Sequence, residues 1–168
     1  TLFAISIFVA ITGWVIYRFR QTRALTMAQF FEIHPQNPQP RLIRRSVDIL
    51  LQGGVIAYPT EAVYGLGCDP DNEAAVRHIL RLKSRPESAG LILIADRLER
   101  FAAYIEAVSG EEKQRALAAW PGPVTWLFPR APAVPDWLAG AHSTIALRIT
   151  AHPVCRALCE AFGGSIVS

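Results

Sequence analysis

Two cations one residue apart, Lys83 and Arg85, stand on a Ser/Pro turn, Lys83-Ser84-Arg85-Pro86, and a third, Arg148, interrupts an apolar strand pattern. Lys83 and Arg85 fall where a helix should end, and cations there complement the negative end of the helix dipole. They equally suit a phosphate chain. Two cations fixed on a tight turn can hold a nucleotide's phosphates and offset the charge that develops in phosphoryl or nucleotidyl transfer. The turn is expected to face the Pro59-Thr60 loop, part of the stretch Tyr58-Pro59-Thr60-Glu61-Ala62-Val63-Tyr64-Gly65-Leu66-Gly67-Cys68, which sets polar loop chemistry directly after an apolar strand. α/β proteins place ligands at such junctions.

Arg148 makes the sharper case. Strand alternation puts Thr144, Ala146 and Arg148 on one face and Ile145, Leu147 and Ile149 on the other. An arginine there requires an anion, either a structural Asp or Glu or a ligand carboxylate or phosphate. Ala146 leaves space beside it, which favours a ligand. Ser168, at a strand tip, is either an ordinary strand-end serine or a hydroxyl within reach of the same cleft. Trp120-Pro121-Gly122-Pro123-Val124-Thr125 reads first as a rigid turn into a strand, as architecture rather than catalysis.

Other chemistries find no support. No GxGxxG follows a strand and no GxxxxGK[ST] occurs, so Gly65-Leu66-Gly67 is weak as a phosphate loop. His34, His78, His142 and His152 lack metal-ligand spacing. Cys68, Cys155 and Cys159 are an odd count without paired CxxC spacing; Cys155 and Cys159, one helical turn apart, read as buried apolar residues, and a reducing cytoplasm is the expected compartment. No Ser/His/Asp or Cys/His nucleophile system is legible. Cations, hydroxyls and small residues suit a reaction in which substrates attack each other while the protein positions them and neutralises charge.

Strands and helices must alternate to hold these groups. A short strand is expected near Gln29 to Ile33. After a Pro-rich loop, Leu42, Ile43, Val47, Leu50 and Leu51 recur at helical spacing and Gly53-Gly54 stops the helix. Val55 to Tyr58 reads as a strand, Thr60 to Cys68 as a loop region, and Glu73 to Leu82 as a helix. Leu91 to Ala95 is continuously apolar, as a strand covered on both faces should be. Ser109-Gly110-Glu111-Glu112 is a capping box that opens a helix ending before Pro121. Val124 to Phe128, Thr144 to Ile149 and Ser165 to Val167 complete the strands, with a helix from Pro153 to Phe162 closed by Gly163. The alternation predicts an α/β sheet with helices packed on it.

The 168 residues, 51% hydrophobic and 18% charged, fit one globular domain with a sizeable core. The formal charge of +3 invites a nucleic-acid reading. It comes, however, from Arg18, Arg20 and Arg23: without these three the 17 basic residues fall to 14, equal to the 14 acidic ones. Whole-domain basicity therefore argues nothing about nucleic acid, and only a local patch remains. Leu2 to Tyr17 is almost uninterruptedly apolar, 16 residues against the roughly 20 that span a bilayer. Residues 1–26 read either as a membrane segment or as a leader outside the domain, which then runs over 27–168 from Met27. Ending on a strand at Ser168, the domain is expected to be C-terminally incomplete.

Taken together, Gly54-Val55-Ile56-Ala57-Tyr58-Pro59-Thr60-Glu61-Ala62-Val63-Tyr64-Gly65-Leu66-Gly67, Leu82-Lys83-Ser84-Arg85-Pro86, Leu91-Ile92-Leu93-Ile94, Trp120-Pro121-Gly122-Pro123-Val124-Thr125 and Ile145-Ala146-Leu147-Arg148 resemble the YrdC-like (TsaC-type) threonylcarbamoyl-AMP synthase family. The similarity covers roughly Arg41 to Ser168. It implies an open, twisted mixed sheet with flanking helices and a concave, positively lined cavity. It also implies a nucleotidyltransferase that joins L-threonine, bicarbonate and ATP, with Mg²⁺ assisting, into threonylcarbamoyl-AMP and pyrophosphate. Through a downstream transferase complex the product serves N6-threonylcarbamoyladenosine at position 37 of tRNA. By motif match, Lys83 and Arg85 are the catalytic cations on the ATP phosphates, Thr144 touches the nucleotide, and Arg148 pairs with the threonine carboxylate. Thr60 and Ala62 line the threonine pocket, and Ser168 opens the family's serine-rich segment. No protein metal ligand is implied.

Ala62 stands where many members carry a second Thr, while Ala89 and Ile94 suit the short, single-domain type. Met27-Ala28-Gln29-Phe30-Phe31-Glu32-Ile33-His34-Pro35 is more like the YciO paralogue subgroup. The Lys83-Ser84-Arg85 signature favours the synthase. An alternative from another class is a module that binds double-stranded RNA or tRNA through the same cationic cavity. The implied location is cytoplasmic, with membrane association only through Leu2–Tyr17.

Overall fold

The computed structural model describes residues 3–5 and 28–168. Apart from Phe3–Ile5, the run from Leu2 to Tyr17 lies outside the described residues, as does the expected domain start at Met27. Among the described residues no helix is long and apolar enough to cross a membrane.

Phe3–Ile5 is strand β1, which runs parallel to both β2 (Ala28–Gln29) and β3 (Ile56–Tyr58). Three residues of the apolar run thus belong to a sheet. β3 turns back antiparallel into β4 (Gly65–Gly67), giving the order β2-β1-β3-β4. A second four-stranded piece has the order β6-β7-β5-β8, from β5 (Ile92–Ala95), β6 (Trp126–Pro129), β7 (Thr144–Ile149) and β8 (Ile166–Val167). Here β5 is parallel to β7 and antiparallel to β8, and β6 is antiparallel to β7. The Val167 N–H donates to the Cys68 carbonyl at 3.0 Å and stitches the two pieces where β8 meets the end of β4. The expected mixed sheet with flanking helices is present, in two pieces rather than one.

The helices form for local reasons. α1 (Pro40–Leu51) has proline in its first turn, where the missing N–H costs nothing, and buries Ile43, Val47 and Leu50 as one stripe. α2 (Glu73–Leu82) is capped by the Asn72 side chain, which accepts from the Ala75 N–H. α3 (Gly110–Ala119) opens with the expected capping box between Ser109 and Glu112. A short α4 (Asp136–Ala139) precedes β7, and α5 (Pro153–Phe162) follows it.

Two cores follow from the alternation. On one face Val76, Ile79 and Leu80 of α2, Ala116 of α3 and Leu138 of α4 pack on Leu93, Ile145, Leu147 and Ile149. On the other, α1 and α5 pack together over Ile56, Tyr58, Ile94 and Ile166. That second layer covers β3, β5 and β8 and stops there. The far side of β7, with Thr144, Ala146 and Arg148, contributes nothing to it and stays half-buried. One edge of the sheet is therefore left open as a concave floor.

Boundaries differ from expectation where proline and turns intervene. The strand expected from Val124 begins at Trp126, because Pro121 and Pro123 have no N–H to offer a ladder and the Gly122 N–H goes to Ile149 O instead. The strand expected over Gln29 to Ile33 is β2 alone. Ile33 is nevertheless buried, in the α1/α5 core.

Candidate functional site

The open floor is a row across three strands. Register pairs Ala146 with Ile92 of β5 on one side and with Leu127 of β6 on the other, so all three share a face. Arg148 lies one step along, beside Ile94. Leu127 is 67% exposed, an unusual exposure for a leucine that faces the concave side of a sheet.

The Lys83/Arg85 turn stands at the rim. α2 ends in a Schellman motif: Arg85 N–H donates to Leu80 O at 2.9 Å and Ser84 N–H to Arg81 O at 3.1 Å, with Ser84 at φ 49°. A serine in the left-handed region costs about 1–2 kcal/mol. The motif turns the chain within two residues and leaves Lys83 and Arg85 exposed on either side of Ser84. Arg85 Nη2 donates to Ala89 O at 3.3 Å and lines a recess with Ile92, Leu127, Thr144, Ala146 and His142. Lys83 has its pKa lowered, by partial desolvation first and the Arg85 charge second, although much of its side chain still meets water. Each cation thus makes the other seek an anion.

Gly140 ties this rim to β7. At φ 70° its backbone lies so close to the turn after Arg85 that a Cβ there would sit 2.4 Å from Ser88 O. The Ala141 N–H donates to the same carbonyl at 3.1 Å. The chain entering β7 at Thr144 is in this way fixed against the segment that follows Arg85.

The loop after β3 forms the opposite wall. The Thr60 hydroxyl donates to Val63 O and accepts from the Ala62 N–H at 3.4 Å, so Thr60 holds its own turn. Ala62 is exposed at the loop's tip. Gly65 lets Thr60 and Ser168 approach: a Cβ at Gly65 would stand 3.1 Å from Ser168 Oγ and 3.3 Å from Thr60 Cγ2. The Ser168 N–H donates to Ile92 O at 2.8 Å, which sets Ser168 beside the floor.

Glu61 pins this loop to the rest of the site. Its Oε1 accepts from the Thr150 hydroxyl at 2.5 Å and the Ala151 N–H at 2.9 Å. Burial pushes the Glu61 pKa up, but hydrogen bonds from Thr150 and from the backbone at Ala151 and His152 outweigh it, and the net pKa is lowered. Glu61 Oε2 lies 3.9 Å from Arg148 Nη1.

Arg148 itself is gripped by Thr125, whose Oγ1 accepts from Nε at 3.0 Å and from Nη2 at 2.7 Å. Thr125 ends the Trp120–Thr125 turn, held in place by Trp120 Nε1 donating to Val124 O at 2.7 Å. The question of what Arg148 pairs with thus has two protein answers, Thr125 and, at longer range, Glu61.

The predicted residues fall into three neighbouring groups. Arg85 and Thr144 share one recess; Thr60 and Ser168 meet over Gly65; Arg148 sits with Thr125 and Glu61. Ser168 links the second group to the floor through Ile92. Lys83 feels the Arg85 charge, which with partial desolvation lowers its pKa. Thr125 and Glu61 were missed as site residues, although both lie inside the motifs that drew notice. The usable signal for Thr125 is its place directly before β6, the strand antiparallel to Arg148's own.

Among the described residues no group of three or more His, Cys, Asp or Glu side chains is placed to hold a metal ion. The donors here are cationic or hydroxylic, and the one carboxylate, Glu61, is engaged. They do not fit a resident Mg²⁺ site.

A family model named Sua5_yciO_yrdC and described as "Telomere recombination" matches residues 48–168. Over 134 residues the chain is 50% identical to a protein from Halorhodospira halophila (strain DSM 244 / SL1) named threonylcarbamoyl-AMP synthase, covering 80% of this chain and 70% of that protein. The fold is similar to that of E. coli YciO, with a TM-score of 0.76 and 34% identity over 84% of this chain and 68% of the other. It is also similar to P. abyssi Sua5 complexed with L-threonine, with a TM-score of 0.73 and 31% identity over 78% of this chain. The chain spans only 38% of the length of that Sua5 chain.

Proposed function

The chain belongs to the Sua5/yciO/yrdC family, and from that premise we propose that it is an L-threonylcarbamoyladenylate synthase, a nucleotidyltransferase that makes threonylcarbamoyl-AMP and pyrophosphate from L-threonine, bicarbonate and ATP. The observation that carries this reading is Arg148, a guanidinium held at the uncovered edge of the sheet on the same strand face as Thr144, which shares a recess with Arg85. One strand face thereby offers a carboxylate receptor next to a phosphate receptor. The synthase name carried by relatives at about 50% identity favours this role over a YciO-type one.

The roles follow from the chemistry of each group. Arg148 takes the threonine carboxylate through its planar fork of N–H donors. Thr60, Ala62 and Ser168 line the pocket for the rest of the amino acid. Thr144 touches the nucleotide, and Lys83 and Arg85 hold its phosphates. The threonine amine takes up the carbon of bicarbonate as a carbamate with loss of water. A carbamate oxygen then attacks the α-phosphorus, and the bond to the bridging oxygen breaks to release pyrophosphate. Lys83 and Arg85 offset the charge on the departing pyrophosphate, and holding both substrates on one floor replaces a bimolecular encounter. Any Mg²⁺ belongs to the ATP it arrives with.

The unit that does this is the domain to which residues 27–168 belong, and it acts in the cytoplasm, where a transferase complex carries the adenylate on to tRNA. The purified full-length protein should release pyrophosphate from ATP only when threonine and bicarbonate are both present. Release that ignores threonine would contradict the assignment.

A further inference from the structure

A guanidinium has two edges able to bind a carboxylate with two parallel hydrogen bonds, Nε/Nη2 and Nη1/Nη2. In Arg148 the first is already used. Thr125 Oγ1 accepts from Nε at 3.0 Å and from Nη2 at 2.7 Å, so one hydroxyl oxygen closes that edge. The second edge keeps both Nη1 protons and one on Nη2. Glu61 Oε2 stands 3.9 Å from Nη1, beyond hydrogen-bond distance, and its other oxygen is held by Thr150 and Ala151. Glu61 therefore bounds that edge without closing it.

We propose that Thr125 is a positioning residue: it locks Arg148 by the Nε/Nη2 edge so that the Nη1/Nη2 edge meets the carboxylate of the amino-acid substrate. This rests on the synthase reading for the identity of the ligand, but the lock itself does not. Thr125 can do this because the turn that carries it is rigid. Trp120 Nε1 ties to Val124 O at 2.7 Å, Gly122 N–H ties to Ile149 O at 2.9 Å, and Trp126, the next residue, pairs with Leu147 in the ladder beside Arg148. A hydroxyl so placed costs Arg148 its rotamer freedom before the ligand arrives, which lowers the entropy lost on binding. Arg148 has no equivalent in lysine, which lacks two edges to divide between a lock and a ligand.

The test uses Thr125→Val, Thr125→Ala and Thr125→Ser in the full-length protein, with two readouts. The first is the Arg148 Nε–H resonance in ¹⁵N-edited NMR without ligand. It should be protected from solvent exchange in the wild type and in Thr125→Ser, and unprotected in Thr125→Val and Thr125→Ala. The second is steady-state kinetics. Thr125→Val should raise the threonine KM by roughly 10-fold or more, with kcat and the ATP KM largely kept. Thr125→Ser should restore the threonine KM. Thr125→Ala carries both readouts if the valine does not fold. A protected Nε–H in the alanine or valine variant, or an unchanged threonine KM beside a lost resonance, overturns the proposal. A wild type that ignores threonine would remove the synthase reading and leave the resonance to decide the lock.

Discussion

Glu61 and Thr150 meet across the site, 89 residues apart in the chain, with the Thr150 hydroxyl donating to Glu61 Oε1 at 2.5 Å. This contact fastens the Thr60–Tyr64 loop to the end of β7. Both this bond and the one from Ala151 end on the same oxygen, and each is stronger when the carboxylate is ionised.

A pH dependence follows. The folded pKa of Glu61 is lowered from its ordinary 4.5, by the hydrogen bonds that outweigh its burial. Its contribution to stability is therefore complete above that value and is lost as the pH falls through the lower, folded pKa. Glu61→Gln should be less stable than wild type by about 1 kcal/mol at neutral pH, since a charged acceptor becomes a neutral one. Urea unfolding across the acid range should show the gap closing below the ordinary value. A gap independent of pH would mean that ionised Glu61 is not what holds the loop.

Lys83 and Arg85 are exposed, so their removal should spare the fold and strike the chemistry. Lys83→Ala and Arg85→Ala should each slow pyrophosphate release by roughly 10²–10³-fold, the range for losing one preorganised donor to developing charge. Melting temperatures should stay near wild type. Retained rates in both variants would return these residues to the ordinary role of cations at a helix end.

Ser84 supplies a stability test of the turn itself. Its left-handed backbone costs about 1–2 kcal/mol, more than the roughly 0.5–1 kcal/mol that glycine loses in entropy. Ser84→Gly should be neutral or stabilising in thermal unfolding, and Ser84→Val clearly destabilising. A marked loss in the glycine variant would show that the serine hydroxyl, not the turn, is what the position requires.

The three cysteines should be chemically quiet. Burial pushes the Cys68 and Cys155 thiols up to about 12, and Cys159 is also well raised. The native protein should label slowly with a disulfide reagent at neutral pH and fully only once unfolded. Fast labelling would point to an opening of the α1/α5 layer at Cys155 and Cys159, or of the opposite core at Cys68.

Local chemistry made much of this legible from sequence. The capping box at Ser109, the helix over Glu73–Leu82 and the alternation over Thr144–Ile149 are short-range signals, and each appears as expected. The Arg148 face could be read because period-two burial needs no knowledge of neighbours. What Arg148 touches could not, since Thr125 and Glu61 reach it through ladder register and a loop fold set by distant contacts. The division into two four-stranded pieces was likewise hidden. It depends on the Val167–Cys68 bond, and the Thr60–Cys68 region held a strand, β4, too glycine-rich to signal itself.

On the proposed reading, threonine, bicarbonate and the AMP part of ATP are joined on one floor. Incubating the full-length protein with ¹³C-bicarbonate, L-threonine and ATP and taking the mass spectrum of the quenched mixture tests it directly. A single adduct that carries the ¹³C atom, threonine and AMP should form in step with pyrophosphate. ADP and inorganic phosphate as the nucleotide products, or an adenylate without the ¹³C label, would contradict it.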